Sequence, residues 1–300
     1  MKTVKTSFVT VQFKQWEVTI DLIRSIELAG IEDYEVIVVD NNSPAYNGKR
    51  EISSYKNVLF IEASENHGFA KGNNVGFAAA KGTYIFMVNN DIEITATTLP
   101  FLMDTLESDH KVGAVSPKIL YWEDKALIQY AGSTPVNPAT IRNQHIGNKK
   151  PDHEFIGTIE TPYGHGAAML FRRSLLKVVG GIPEEYFLYY EEVDWCTRIT
   201  KAGFTIKCCR EAKVYHKESI STGKDSPLKT FYLNRNRVIY AKMHLKGIAL
   251  LLAFTYLYLL AFPRNSFKYL LKPAHLKASV LAFISAAFPS FFNLQNPYQA

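Results

Sequence analysis

The stretch Tyr84–Ile94, YIFMVNNDIEI, decides how the rest of the sequence is interpreted. Its apolar positions Ile85–Val88 predict a short buried strand, and Asn89, Asn90 and Asp91 follow directly. Amide and carboxylate side chains after a strand are typical of a turn, because Asn and Asp tolerate turn conformations. They are also typical of a metal and phosphate site, since open α/β sheets bind ligands at the carboxyl ends of their strands. This stretch alone leaves both interpretations open.

A second strand that ends in an acid favours the ligand-binding interpretation. Val36–Val39 has the composition of a buried strand and runs into Asp40, while strand and helix patterns alternate from Phe8 onward. This alternation predicts a mostly parallel sheet with helices on both faces. Asp40 and Asp91 are then expected at the same edge of that sheet. The glycine-rich segment between them matches neither the G-x-G-x-x-G dinucleotide fingerprint nor a P-loop.

Polar side chains in the segment ENHGFAKGNN (65–74) are candidates for binding a pyrophosphate. Glycine recurs there at every fourth residue, a spacing that close packing of a helix also produces. Amides and a lysine can donate hydrogen bonds to phosphate without P-loop geometry. The candidate donors are Asn66, Lys71, Asn73 and Asn74.

Composition indicates a globular protein in a reducing compartment. The 300 residues are 47% apolar and 21% charged, which excludes disordered and collagen-like classes. The three cysteines, Cys196, Cys208 and Cys209, have neither a zinc spacing nor the pattern of a disulfide framework. The N-terminal segment is interrupted by Gln12 and Lys14, so we expect a first strand and no signal peptide. A cytoplasmic protein is therefore expected.

The last hundred residues are basic and carry two apolar runs. Residues 201–300 hold 15 Lys and Arg against 3 acids, and the runs Ile248–Phe262 and Ala278–Phe292 are uncharged. As a helix each 15-residue run is about 22 Å long, shorter than the roughly 30 Å hydrocarbon core, so we expect no membrane crossing. A helix lying in the interface of an anionic leaflet is one interpretation, and a pair of core helices is the other. The basic residues alternate with aliphatic blocks, so nucleic acid is not an expected partner.

Five spaced motifs carry a family resemblance: VVDNNS, ENHGFAKGNNVGFAAAKG, VNND, GHGAAMLFRRSLLKVVGGIPEEYFLYYEEVDWCTRITKAGF and VYHKES. In this order they resemble family 2 glycosyltransferases, in particular bacterial rhamnosyltransferase-like members that build cell-surface polysaccharides. The resemblance covers about residues 5–240. It implies an A-type glycosyltransferase fold, an α/β fold whose Rossmann-like, mixed, mostly parallel sheet has helices on both faces, followed by a C-terminal helical segment.

The resemblance also implies the domain organisation and the metal and donor sites. Residues 1–95 are expected to form a half that binds the nucleotide-sugar donor, and 96–240 an acceptor-binding and catalytic half. Charge and apolar content add 241–300 as a basic, apolar helical tail that is expected at a membrane surface, with packing as core helices as the alternative. VNND stands in the place of the D-x-D signature, so Asp91 is a ligand of Mg²⁺ or Mn²⁺, with His216 as a further ligand. The implied donor-binding residues are Val11, Phe13, Asp40, Asn66, Gly68, Lys71, Asn73, Asn74, Asn89 and Asn90.

The acid-rich motif YYEEVDWCTR carries the implied catalytic residues. Glu192 matches the general base, with Glu191 and Asp194 as the other candidates. Acids are also favoured in the first turn of any helix, because they interact with its dipole, so a purely structural role is the alternative for these three. Tyr190 and Trp195, among the aromatic residues that flank these acids, are candidates for acceptor binding, with core packing as the alternative. Arg198 is a further acceptor-site candidate, and its spacing of four residues from Asp194 also suits holding that carboxylate in position.

The resemblance implies an inverting, metal-dependent transferase for a sugar, rhamnose being one candidate. The donor is a nucleotide diphosphate sugar, and the acceptor is a lipid-linked or cell-surface glycan at the inner face of a bacterial membrane. A nucleotidyltransferase with a related sheet is the alternative enzyme. A non-catalytic nucleotide-sugar-binding scaffold is the alternative from another class. Homo-oligomerisation is left open.

Overall fold

The structure, a computed structural model, describes residues 4–44, 48–217 and 225–287. The chain divides into two compact units. Unit one contains the described residues of 1–134, 144–187 and 191–221, and unit two contains those of 135–143, 188–190 and 222–300. The predicted apolar run Ala278–Phe292 and the predicted tail 241–300 therefore lie only in part within the described residues.

Unit one is built on a single ten-stranded sheet. Its strands are β1 (Thr6–Gln12), β2 (Tyr34–Asp40), β3 (Val58–Glu62), β4 (Tyr84–Val88), β5 (Ile92–Ile94), β6 (Val112–Tyr121), β7 (Ile128–Tyr130), β8 (Thr158–Glu160), β9 (Ala168–Arg172) and β10 (Thr205–His216). The helices of this unit are α1 (Trp16–Leu28), α2 (Gly48–Ile52), α3 (Gly68–Ala79), α4 (Thr98–Glu107), α5 (Leu175–Val179) and α6 (Glu191–Lys201).

The order of the strands confirms a mixed α/β sheet. The path is β3-β2-β1-β4-β9-β6-β10-β5, with β7 added to β6 and β8 added to β10. The four N-terminal strands β3, β2, β1 and β4 are mutually parallel, and β9 lies antiparallel between β4 and β6. Strands β6 and β10 are parallel to each other, so the carboxyl ends of β1, β2, β4, β6 and β10 meet at one edge. Strands from both predicted halves share this sheet.

Apolar side chains of α1 and of the central strands form the core that fixes this edge. On α1, Leu22, Ile23 and Ile26 fall on one helical face and are buried, each stabilising the fold by about 1.5–3 kcal/mol. Phe8 of β1 and Phe86 of β4 are register partners whose ring centroids lie 5.5 Å apart.

The regular glycine spacing in α3 serves packing. A Cβ atom at Gly76 would lie 2.3 Å from Cγ1 of Val9, and one at Gly72 would lie 3.0 Å from Cγ2 of Val11. These glycines let α3 lie directly against β1. Of the two explanations for the spacing, close helix packing is therefore the correct one.

Unit two is helical. It contains α7 (Pro227–His244), α8 (Gly247–Phe254), a π-helical segment (Thr255–Ala261), α9 (Phe262–Lys268) and α10 (Pro273–Ala287). Ser226 caps α7 by accepting a hydrogen bond from the backbone N–H of Lys229, and Pro227 occupies the first helical position, where its missing N–H costs nothing.

A continuous helix of 22 residues, Gly247–Lys268, is longer than the predicted apolar run. At 1.5 Å per residue it measures about 33 Å. Among the described residues this is the one helix whose length and mean hydropathy, 1.6, suffice to cross a membrane. The helix exceeds the predicted run because it continues past Phe262 through Arg264 and Lys268, and the expectation of no membrane crossing stays a prediction.

Candidate functional site

The metal ligands predicted from the sequence lie side by side in unit one. His216 ends β10 and is the register partner of Ile92, the first residue of β5, which directly follows Asp91. The Nε2 atom of His216 lies 3.1 Å from Oδ1 of Asp91, and both side chains are buried. The antiparallel β5–β10 pairing therefore joins two residues that are 125 positions apart in the sequence.

The contact between Asp91 and His216 places two electron-pair donors face to face. Nδ1 of His216 lies 2.7 Å from Oε1 of Gln129, an oxygen that can only accept, so Nδ1 carries the proton. In neutral His216 the Nε2 atom is then unprotonated and faces a carboxylate oxygen. A shared cation resolves this opposition, and so does protonation of His216 to an imidazolium.

Unsatisfied oxygens at the end of β4 fit a cation. Oδ1 of Asn89 and Oδ1 of Asp91 are buried and have no hydrogen-bond partner among the described residues, the 3.1 Å contact with His216 lacking hydrogen-bond geometry. Adjacent ligands of an octahedral ion with bonds of about 2.1 Å lie about 3 Å apart, which matches that contact. The described residues contain no cluster of three or more His, Cys, Asp or Glu suited to a metal. One carboxylate and one imidazole suit Mg²⁺ or Mn²⁺, which take further ligands from substrate phosphates.

The residues predicted to hold the nucleotide meet at the ends of β1 and β2. Asp40 is buried and accepts hydrogen bonds from the backbone N–H and the hydroxyl of Ser43. Burial raises the pKa of the Asp40 carboxyl, and the bonds from Ser43 oppose that rise. Val11, the register partner of Val39, and Phe13 are half-buried at the same edge.

Several predicted donor-binding amides are occupied within the protein. The Nδ2 of Asn74 donates to the backbone oxygen of Ile182 and to Glu184, and its Oδ1 accepts from the Ile182 N–H. Nδ2 of Asn73 donates to the oxygen of Phe69, and that of Asn90 donates to Oγ1 of Thr19. These bonds tie the amides to neighbouring loops and use both N–H groups of Asn74, while the donor contacts predicted for Asn73 and Asn90 stay predictions.

The start of α3 is likewise fixed by the protein itself. Oδ1 of Asn66 accepts a hydrogen bond from the backbone N–H of Gly68. Gly68 has a φ of +72° and packs against Phe187, and a Cβ added to Gly68 would lie 2.5 Å from the Phe187 backbone oxygen. Lys71 is half-exposed, with its Nζ 3.8 Å from Glu65. Of the four donors predicted in this segment, Lys71 is the one whose charged group stays accessible to an anion.

The loop before β9 lies between the strand end that carries the predicted metal ligand Asp91 and the predicted catalytic acids, a position that was not predicted from the sequence. The backbone oxygen of Ala167 accepts from the N–H of Asn89 at 2.9 Å. A Cβ added at Gly166 would lie 3.4 Å from the Cβ of Glu192, so the Glu192 side chain lies close to this loop. The G-H-G spacing in the quoted motif was the available signal.

Burial separates the roles of the two adjacent glutamates. Glu191 is buried, and the pKa of its carboxyl is raised well above 4.5 by burial and by the charge of Glu192. A carboxyl that keeps its proton cannot act as a general base. Glu192 is half-buried and lies beside Gly166. Glu192 therefore differs from Glu191 in burial, and its role as the base stays a prediction.

Asp194 and Trp195 are structural. Both oxygens of the fully buried Asp194 carboxylate are bonded, one to the Tyr186 hydroxyl at 2.7 Å and one to Nε of Arg198 at 2.6 Å. Trp195 is also fully buried, and its Nε1 donates to the backbone oxygen of Gly180. It therefore lacks the exposed face that acceptor binding requires. Arg198 holds Asp194, as its i,i+4 spacing indicates.

Tyr190 belongs to unit two and ends a strained turn. Tyr189 and Tyr190 have φ values of +67° and +75°, a region that non-glycine residues seldom adopt. The Asn236 amide donates to the backbone oxygens of Leu188 and Tyr189, and the Tyr190 hydroxyl donates to the oxygen of Ile141. Such strained conformations cluster at functional sites.

Comparison with known proteins identifies the family. Residues 7–180 match the sequence model described as "Glycosyl transferase family 2". The low-salt glycan biosynthesis hexosyltransferase Agl10 of Haloferax volcanii is 26% identical over 220 residues, which cover 68% of this chain and 66% of that protein. The N-acetylglucosaminyl-diphospho-decaprenol L-rhamnosyltransferase of Mycobacterium tuberculosis is 26% identical over 223 residues, covering 67% and 72%. The chain thus spans about two thirds to three quarters of the length of these relatives.

Solved structures share the fold. The mannosyltransferase PcManGT from Pyrobaculum calidifontis, in complex with GDP-Man and Mn²⁺, superposes with a TM-score of 0.59 over 95% of this chain and 88% of that chain, at 16% identity. This likeness supports the A-type glycosyltransferase fold. With residues 7–180 matching the family model, the chain belongs to glycosyl transferase family 2, and rhamnosyltransferases are among its relatives.

Proposed function

We propose that the protein is a metal-dependent, inverting glycosyltransferase that moves a sugar from a nucleotide diphosphate donor to an acceptor hydroxyl. The observation that carries this proposal is the pair formed by Asp91 and His216, two buried electron-pair donors 3.1 Å apart. The loop at Gly166 and Ala167 links this pair's strand to Glu192. A cation site and a carboxylate base held by one loop suit displacement at an anomeric carbon.

Asp91 and His216, with the oxygen of Asn89, are the residues that would hold Mg²⁺ or Mn²⁺. When bound, such an ion supplies positive charge that stabilises the departing nucleoside diphosphate. The Mn²⁺ in the PcManGT complex supports this role for the corresponding fold. Asp40, Val11 and Phe13 would contact the nucleoside at the neighbouring strand ends.

Glu192 would take the proton of the acceptor hydroxyl as its oxygen attacks the anomeric carbon. The bond from that carbon to the phosphate oxygen breaks, the new glycosidic bond forms, and the nucleoside diphosphate leaves with the bonding electrons. A single displacement of this kind inverts the anomeric configuration. Burial and the charge of Glu192 raise the pKa of Glu191, which favours its protonated form, so we assign the base to Glu192.

The relatives suggest the substrates. The name of the Mycobacterium tuberculosis rhamnosyltransferase specifies an acceptor in which a sugar is joined to decaprenol through a diphosphate. By analogy we propose a lipid-linked glycan acceptor, with rhamnose as a candidate sugar, at the cytoplasmic face of the cell membrane. The hypothesis of a homo-oligomer is left untested.

Nucleoside diphosphate release tests the proposed activity. With a panel of nucleotide sugars, Mn²⁺ and a lipid diphosphate acceptor, we expect release of a nucleoside diphosphate that stops when EDTA is added. A nucleotidyltransferase would instead release pyrophosphate from a nucleoside triphosphate. Donor binding without any turnover would indicate a scaffold. Either of these outcomes would contradict the proposal.

The helix Gly247–Lys268 supports attachment to a membrane surface. Its Ala253, Leu257 and Ala261 are buried within unit two, while the opposite side exposes large apolar side chains. Asn265 of this helix donates to the side-chain oxygen of Asn234 on α7. Because α7 is polar, it cannot enter the hydrocarbon of a bilayer. This contact therefore favours a helix that lies in the membrane interface over one that crosses the membrane. The exposed apolar residues of this helix are Ile248, Leu251, Leu252, Leu259, Leu260 and Phe267, and the exposed Leu270 and Leu271 follow it in the turn before α10.

The double substitution Leu259→Asp with Leu271→Asp is expected to reduce co-sedimentation with phosphatidylglycerol vesicles at least tenfold. It places charge where two side chains, 68% and 97% exposed, are proposed to enter the interface. Leu28→Asp is the matched control, because Leu28 is 86% exposed on α1 of unit one. Equal loss in the control, or unchanged co-sedimentation in the double variant, would contradict membrane attachment through this helix.

A further inference from the structure

Arg237, in the middle of α7, is a buried cation, and no carboxylate among the described residues of unit two pairs with it. Only 4% of its surface is exposed. Its Nη2 donates to the backbone oxygen of Thr140, and its guanidinium carbon lies 5.9 Å from the ring centroid of Tyr256. Its Nε–H is buried and has no hydrogen-bond partner among the described residues. Buried arginines are normally paired, because an isolated buried charge is costly.

The composition of unit two explains why no carboxylate faces Arg237. The unit contains eleven Lys and Arg residues and one acid, Asp225. Asp225 is exposed and pairs with Lys272 at 2.9 Å. The charged or titratable groups that act on Arg237 are Arg142, Tyr190 and Tyr256. Burial and Arg142 lower the pKa of Arg237, and the two tyrosines oppose this.

A tight loop places Arg142 next to this buried charge. Oδ1 of Asn137 accepts from the N–H groups of Ala139 and Thr140, and the N–H of Asn137 donates to the backbone oxygen of Arg142 at 2.8 Å. Ile141 in this loop has a φ of +51°. The same loop binds Arg237 through Thr140 and exposes the Arg142 side chain to solvent.

We propose that Arg237 and Arg142 form a binding site for a phosphate-bearing ligand, the diphosphate of a lipid-linked acceptor. Two neighbouring guanidinium groups without a carboxylate require a multiply charged anion, and the planar donor fork of arginine matches phosphate oxygens. The exposed apolar side of the helix Gly247–Lys268 belongs to the same unit, which favours a lipid diphosphate over free pyrophosphate. All residues of this anion site belong to unit two. Its role in binding the acceptor rests on the proposed function.

Farnesyl diphosphate is the probe, used with EDTA and without nucleotide so that the metal-dependent donor site cannot bind it. We expect it to raise the melting temperature of the full chain, with inorganic pyrophosphate giving a smaller shift and farnesol none. Arg237→Gln and Arg142→Ala should each weaken farnesyl diphosphate binding at least tenfold. Arg264→Gln, which removes an exposed cation from the same unit, should leave it unchanged.

Arg142 is exposed, so its variant keeps the test informative if Arg237→Gln fails to fold. Equal affinity of the wild type and the Arg142→Ala variant would overturn the proposal. So would equal weakening by Arg264→Gln, since it would indicate general attraction to basic charge. Anionic vesicles without diphosphate that compete fully with the probe would assign the site to lipid headgroups and also overturn it. Donor-induced stabilisation with Mn²⁺ should survive in both variants, which separates this test from that of the proposed function.

Discussion

Replacing Asp91 by asparagine is expected to lower kcat/KM at least about 100-fold, equivalent to about 2.7 kcal/mol of transition-state stabilisation. The substitution keeps the shape of the side chain but removes the charge that faces Nε2 of His216 at 3.1 Å. The cation would then lose its one carboxylate ligand. The apparent affinity for Mn²⁺, measured by titrating nucleoside diphosphate release, should fall in parallel.

Glu93→Gln is the matched control for this experiment. Glu93 lies two residues away, where its carboxylate binds Trp122 and Lys125. The control removes the same charge from the same sheet edge without touching Asp91 or His216. If both variants lost activity equally, or if Asp91→Asn kept normal Mn²⁺ dependence, Asp91 would not be the metal ligand.

Glu192→Gln is expected to reduce kcat by about 100- to 10,000-fold, the usual range for loss of a general base. The amide fills the space beside Gly166 but cannot take a proton from the acceptor. Donor binding should remain, because the substitution does not alter the Asp91 and His216 pair. Single-turnover transfer to the lipid acceptor measures the chemical step directly.

Glu191→Gln provides the adjacent control. Because burial raises the pKa of Glu191 and so favours its protonated form, a neutral amide resembles that form, and most of the activity should remain. A larger loss of kcat in Glu191→Gln than in Glu192→Gln would reverse the assignment of the base.

The pH dependence of stability should distinguish the same pair. The pKa of Glu191 is raised in the folded state above its ordinary value of 4.5. Folding therefore favours its protonated form, and the free energy of unfolding of the wild type should fall as pH rises above 4.5 toward the folded pKa. Glu191→Gln should lack this decline. Denaturant unfolding at several pH values measures the difference.

The sequence was sufficient to predict the sheet and the position of the candidate site. Apolar runs ending in Asp40 and Asp91 predict two strand ends at one edge, and the structure places them there. His216 was predicted through the family resemblance alone, because only the β5–β10 pairing brings it to Asp91. The roles of these residues remain predictions.

The amides and aromatics were harder to predict. An amide side chain either binds a ligand or stabilises a loop, and its hydrogen-bond partners decide which. The partners of Asn74 are more than a hundred residues away in the sequence, so a local pattern does not reveal them. Trp195 follows the acids in sequence, but its helical position turns it toward Phe77 and Phe171 in the core. The importance of Gly166 depends on the tertiary approach of Glu192, which local patterns do not encode.

The turn at Tyr189 and Tyr190 has a consequence for heat resistance. Left-handed backbone costs a non-glycine residue about 1–2 kcal/mol, so these two tyrosines oppose folding. The Asn236 amide donates to the backbone oxygens of Leu188 and Tyr189, and these two hydrogen bonds stabilise the strained turn. Glycine at these two positions should therefore raise the melting temperature, since it adopts the same backbone conformation without that cost.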